Sequence, residues 1–294
     1  MKIEIFHPGK RHGSHSLFSL YTALFLSAAV FTGRSQPVQS SATRPAPRTD
    51  PNSQLAHEQL LAKAKKGGID IYFEGDSITR RWGATDYPQF LSNWTNNFFG
   101  WNAADFGWGA DQIQNILWRL ENGELDNVNP KIIVILAGIN NVVNRPPNEE
   151  KIADITAGLK AILDLSRKKA PGATIILTAI FPRNDNMAVV PAIFKINANL
   201  AKFADGKKVR YLDVNDKLAD KDGNLYPGVM NPDKLHPALN GYQIWADGLK
   251  PIFTEILGPP AKTDHAPAPT GDPSARKATS PSLQQQSANS PVGK

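Results

Sequence analysis

Ile69-Asp70-Ile71-Tyr72-Phe73-Glu74-Gly75-Asp76-Ser77-Ile78-Thr79 is a short apolar run that stops at a glycine, an aspartate and a serine. A run of this length bounded by glycine predicts a buried strand, and the residues after it predict a tight turn into a helix. Comparable runs follow at Ala103–Phe106, Ile132–Ala137, Thr174–Ala179 and Val209–Leu212. The central ones are continuous rather than alternating, as in parallel strands covered on both faces. Helical patterns lie around and between them, at Leu55–Lys66, Asp111–Glu121, Glu149–Lys168, Pro191–Ala204 and Leu239–Leu257. The alternation predicts an α/β fold, a three-layer α/β/α sandwich with a five-stranded parallel sheet and right-handed crossovers. In such sheets ligands sit outside the carboxyl ends of the strands, so residues just after each strand are the first candidates for chemistry.

Outward from this core, both ends of the chain change character. Leu17–Phe31 is apolar, follows Lys2, Lys10 and Arg11, and is too short to span a bilayer comfortably, so residues 1–33 are expected to form a secretory signal peptide. Secretion or a periplasmic location follows, with no stable membrane insertion once the signal is cleaved. Residues 34–53 and 259–294 are rich in Pro, Ser, Ala, Gln and Thr and poor in large apolar residues; a flexible linker and a disordered tail are expected there. That leaves 54–258 as one folded domain.

The chain has 33 Lys and Arg against 27 Asp and Glu, but the excess is at the ends. Six basic and two acidic residues fall within 1–50, and four and two within 259–294, leaving 23 of each between. The folded part is neutral, so no nucleic-acid partner is expected. The chain has no cysteine, which excludes disulfides, thiolate metal sites and a catalytic thiol. No cluster with metal-ligand spacing occurs in the domain, and no cofactor is implied.

Ser77 begins the helix after the first strand, where Gly75 permits the turn. Asp76 and Ser77 are also ordinary helix N-caps, and Thr79 replaces the last glycine of the G-x-S-x-G elbow, which disfavours an α/β-hydrolase. A serine needs a base to take its proton. Of six histidines, His7, His12 and His15 belong to the export segment, His265 to the tail, and His57 to the leading helix, where it is expected to face solvent. His236 remains, just before the last helix. Asp233, three residues earlier, is spaced to fix its tautomer. Two more strand ends offer donors for a developing oxyanion: Gly107-Trp108-Gly109-Ala110-Asp111, and Gly138-Ile139-Asn140-Asn141. Asn140 could equally be a turn residue.

In this order Gly75-Asp76-Ser77, the glycine block at 107–110, Gly138-x-Asn140-Asn141 and Asp233-x-x-His236 resemble the SGNH (GDSL-like) hydrolases over roughly residues 70–258. Trp118-Arg119-Leu120-Glu121-Asn122-Gly123-Glu124-Leu125 and Pro130-Lys131 are similar to the branch that contains platelet-activating-factor acetylhydrolase catalytic subunits and bacterial acetylesterases. The resemblance implies a flavodoxin-like sheet and a serine esterase. It makes Ser77 nucleophile and N–H donor, His236 base, Asp233 its orienting acid, and Asn140 a side-chain donor. One position departs: where the family has its donor glycine stands Ala110, with Gly109 one residue earlier. Asp76, Trp108, Ile139 and Asn141 are expected substrate contacts, with pocket walls from Trp108, Ile139 and the loops 142–148 and 181–190; Trp108 could stack on a sugar, but closing the core is the better reading of it. The absence of a long apolar lid favours short acyl groups, acetyl foremost, on a small-molecule or glycan ester. A lysophospholipase or thioesterase, or a non-catalytic glycan-binding protein, are the alternatives.

Overall fold

The computed structural model describes residues 41–142 and 146–275. The expected signal peptide, the first part of the expected linker (34–40) and the last part of the expected tail (276–294) lie outside the described residues.

Five strands form one sheet: β1 (Ile71–Gly75), β2 (Ala103–Asp105), β3 (Ile132–Leu136), β4 (Thr174–Thr178) and β5 (Val209–Leu212). They are all parallel, in the order β2-β1-β3-β4-β5. This is the flavodoxin-like order, whose switch point falls between β1 and β3. The apolar runs sit where the sequence places them because every residue of β1, β3 and β4 is buried on both faces. Seven helices accompany the strands among the described residues: α1 (Pro51–Lys66), α2 (Ser77–Gly83), α3 (Pro88–Phe98), α4 (Ile113–Arg119), α5 (Glu149–Lys169), α6 (Val190–Ala201) and α7 (Leu239–Leu257). None is long and apolar enough to cross a membrane.

One face of the sheet is aromatic. Phe73 of β1 meets Trp82 of α2, Trp94 and Phe98 of α3, and Trp245 and Phe253 of α7, with ring centroids 4.6–6.2 Å apart. Edge-to-face pairs of this kind add about 0.5–1.5 kcal/mol each to the burial of the rings. The helix α3 was not read from the sequence: its apolar residues Phe90, Trp94 and Phe98 recur every four positions, yet Pro88 and a run of Asn and Ser masked the pattern.

Residues 41–53 and 259–275 dock onto the domain where the structure describes them. Ala42 is fully buried, Ala46 N–H bonds Gln114 O at 2.9 Å, and α1 already starts at Pro51, capped by Asp50 through the Ser53 amide. At the other end, Asp264 accepts the Gly100 and Asn102 amides at 2.7 and 3.3 Å, and Thr270 O accepts the Thr85 amide at 3.2 Å. Composition misled here because these segments dock through hydrogen bonds rather than through large apolar side chains, and composition registers only the latter.

Candidate active site

Gly75 ends β1 where a side chain has no room: a Cβ would lie 2.5 Å from Leu136 O and 2.2 Å from Thr79 Oγ1. The chain therefore turns at once, Asp76 caps α2 through the Ile78 amide at 3.0 Å, and Ser77 is left partly exposed at the sheet's carboxyl edge. From the far end of the sequence, the turn before α7 brings His236 to it. Asn231 closes that turn by donating its N–H to His236 O at 2.8 Å, and its side-chain amide to Pro237 O at 2.8 Å. His236 Nε2 stands 2.9 Å from Ser77 Oγ, and His236 Nδ1 stands 2.8 Å from Asp233 Oδ2. The other carboxylate oxygen, Oδ1, accepts the amides of Leu235 and His236 at 3.0 and 2.9 Å.

The electrostatics suit proton transfer. Burial pushes the His236 imidazole below its ordinary value, only partly offset by Asp233, so at neutral pH the ring is an unprotonated acceptor for the serine proton. Burial alone would raise the Asp233 carboxyl, but the amides of His236 and Leu235 outweigh it and hold the group below its usual value. The carboxylate stays charged and can stabilise an imidazolium.

Candidate oxyanion donors come from the turn after β1 and from the loops after β2 and β3. Among the described residues the amides of Gly109 and Ala110, in the loop after β2, bond no backbone carbonyl. Asn140, after β3, spends one side-chain N–H on Asp111 O at 2.9 Å and keeps a second. The site thus straddles β1 and β3, the switch point of the sheet.

The structure turns four expected substrate contacts inward. Asp76 is fully buried as the helix cap, its carboxyl pushed up to about 7 by burial. Trp108 is buried and donates its indole N–H to Ser53 Oγ at 2.8 Å. The Ile139 side chain is buried in the core. Asn141 is buried and holds the start of α4, accepting the Ile113 amide at 2.9 Å. All four follow strand ends, but alternate residues of such turns face the core, and sequence spacing does not show which. Of the two loops expected as walls, 143–145 lies outside the described residues. Pro182 of the other, 181–190, lines an open groove of about 730 Å³ with Phe194, Tyr211, Tyr226, Asp213 and Asp216, and no residue of the Ser77–His236–Asp233 chain lines that groove.

Beneath the site lies a buried charge cluster that sequence reasoning missed. Arg119 donates Nη2 to Glu74 at 2.7 Å, Nε to Asp111 at 2.7 Å and Nη1 to Glu124. The same guanidinium reaches Phe106 O at 3.0 Å and Gly75 O at 3.3 Å. Burial, relieved only in part by Arg119, raises the Glu74 and Asp111 carboxyls to about 8 and about 6. His57, expected to face solvent, in fact bonds Glu124 at 2.6 Å and packs on Trp118. One signal was available: Glu74 interrupts an apolar strand, and a charge there needs a buried partner.

A hydrogen-bonded serine and histidine at the switch point of a flavodoxin-like sheet define a hydrolase built for acyl transfer, and the comparisons with known proteins agree. Residues 73–244 match the GDSL-like Lipase/Acylhydrolase family. The bovine (Bos taurus) platelet-activating factor acetylhydrolase IB subunit alpha1 is 27% identical over 219 residues, covering 74% of this chain and 89% of that protein. The human (Homo sapiens) subunit alpha2 is 29% identical over 208 residues, covering 68% and 83%. Among solved structures, a putative acylhydrolase from Bacteroides fragilis shares the fold, with a TM-score of 0.56 at 18% identity, over 71% of this chain and 99% of the other. The chain belongs to the GDSL-like lipase/acylhydrolase family and is an ester hydrolase.

Proposed function

We propose that the protein is a secreted or periplasmic esterase that removes short acyl groups, acetyl foremost, from carbohydrate or related esters through a Ser77–His236–Asp233 triad. The observation that carries this reading is the unbroken hydrogen-bond chain from Ser77 Oγ through both ring nitrogens of His236 to Asp233. Ser77 attacks the ester carbonyl as His236 takes its proton. The tetrahedral oxyanion is held by the amides of Ser77, Gly109 and Ala110 and by the Asn140 side chain. Collapse gives an acyl-serine while His236 protonates the leaving alcohol. Water, activated by the same ring, then releases the acid.

Acetyl selectivity is supported by the likeness to the platelet-activating factor acetylhydrolase subunits. Hydrolysis of nitrophenyl esters of increasing chain length, followed by acetate release from acetylated glycans, tests the reading. Ser77→Ala is expected to keep the fold and lose turnover and fluorophosphonate labelling. A Ser77→Ala enzyme with near-normal rate removes the triad from consideration, and a preference for acyl chains beyond about eight carbons removes the acetyl assignment.

A further inference from the structure

The family template puts glycine where this chain has Ala110, and the structure shows that the conformation at that position still demands one. Ala110 has φ +63°, in the left-handed region, whereas Gly109 is not left-handed and a Cβ on it would meet nothing within 4 Å. The glycine is therefore one residue away from where the backbone needs it. An L-residue in this conformation costs about 1–2 kcal/mol and persists only where its surroundings impose it.

The turn is closed locally by the Asp111 amide on Trp108 O at 3.3 Å, and it is held from outside by the arm that precedes α1. Arg48 Nη1 donates to Gly109 O at 3.1 Å and to Asp111 Oδ1 at 3.3 Å, the residues on either side of Ala110. The rest of the guanidinium is tied down, with Nε and Nη2 on Asp50 Oδ2 at 3.1 and 2.9 Å. Asp50 in turn caps α1. The arm is pinned along the same loop by the pair between Ala46 and Gln114, by Asn115 Nδ2 on Ala46 O at 3.0 Å, and by Trp108 on Ser53. Asp111 carries the contact onward: its other oxygen is held by Arg119, and its carbonyl accepts from Asn140. A single guanidinium thus braces the Ala110 turn directly and the Asn140 side chain through one residue.

We propose that Arg48 is a positioning residue for the oxyanion hole, clamping Gly109 and Asp111 so that Ala110 holds the left-handed turn that a glycine would adopt unaided. The arm 41–53 is then part of the working enzyme. This rests on the reading of Ser77 as the nucleophile.

The test uses the full chain and p-nitrophenyl acetate. Wild type must turn over and react with a fluorophosphonate while Ser77→Ala does neither; failure at this stage counts against the proposed function itself. With that met, Arg48→Met is expected to lower kcat roughly 10- to 100-fold, less than the ~10²–10³ for deleting an oxyanion donor, with KM changed less than about threefold. Adding Ala110→Gly to Arg48→Met is expected to restore most of the lost kcat, because glycine enters positive φ without a Cβ penalty. A generally loosened structure would not be rescued by that change. If Arg48→Met fails to fold, Arg48→Lys, which keeps charge without the fork, is expected to lower kcat at least threefold. Unchanged kcat in the folded Arg48 variant overturns the proposal, and so does a loss that Ala110→Gly does not repair.

Discussion

Replacing Arg119 by methionine, similar in length and apolar, isolates the charge cluster under the site. In the wild type one buried guanidinium faces Glu74, Asp111 and Glu124 and also satisfies the carbonyls of Gly75 and Phe106. Its loss leaves three buried carboxyl groups without their shared cation, a change that costs about 3–5 kcal/mol where one partner of a buried pair is removed. Against a typical total stability of about 5–15 kcal/mol, the variant folds but with a much lower urea midpoint. The loss must also depend on pH. With Arg119 present, burial raises the Asp111 carboxyl to about 6; without it, that carboxyl or a neighbour keeps a proton to higher pH. A group whose folded pKa is raised contributes stability that fades as pH rises through that value. Between pH 6 and 8 one extra proton in the folded variant amounts to about 1.4 kcal/mol per pH unit, about 3 kcal/mol in all. Urea unfolding at both values is expected to show the full penalty at pH 8 and most of it relieved at pH 6. A loss below 1 kcal/mol at pH 8, or the same loss at both values, would refute the reasoning.

Three further outcomes are expected. Asn140→Ala should lower kcat by about 10²–10³ with little change in KM, the usual result of deleting one oxyanion donor; an equal rise in KM would mark Asn140 as a ground-state contact. Because burial depresses the His236 imidazole, and Arg81 adds to the effect while Asp233 and Asp185 oppose it, kcat/KM should stay flat from pH 8 down to about 6.5, the ordinary histidine value. An acid limb centred above pH 7 contradicts that assignment. A chain ending at Gly258 loses the bonds from Asp264, Ala261 and Thr270 to residues 85–102. At about 1 kcal/mol per hydrogen bond it should unfold 2–4 kcal/mol more easily in urea while kcat changes less than about twofold.

How much of this was legible before the structure follows from what each feature depends on. Strand runs such as Ile132–Leu136 are set by burial on both faces, a property of each residue alone, so pattern reading found all five. Ser77, Asp233 and His236 were legible because their chemistry narrows the choice: one histidine remained outside the ends and the leading helix, and one acid stood at turn spacing from it. The direction of the side chains at 76, 108, 139 and 141 was not legible, because inward or outward direction in an irregular turn is decided by neighbours distant in sequence. Trp108 faces in because Ser53, on a segment read as linker, offers it a hydrogen bond. His57 was misread for the same reason, its partner Glu124 lying 67 residues away.

The cluster and the arm expose a general asymmetry in reading sequences. An apolar residue advertises its burial by type, whereas a buried charge is intelligible only with its counter-charge, and here the counter-charges of Glu74 come from the end of α4 and those of Asp111 from both α4 and the arm. The Ala110 position makes the same point from the backbone. Read as sequence, it was a defect in a family motif; in the fold it is a strained turn braced by Arg48 from outside the motif. The loop at 107–111 therefore owes its shape to residues from three separate stretches of chain, of which the arm carries no recognisable motif, and a change in any of them is expected to be felt at Ser77.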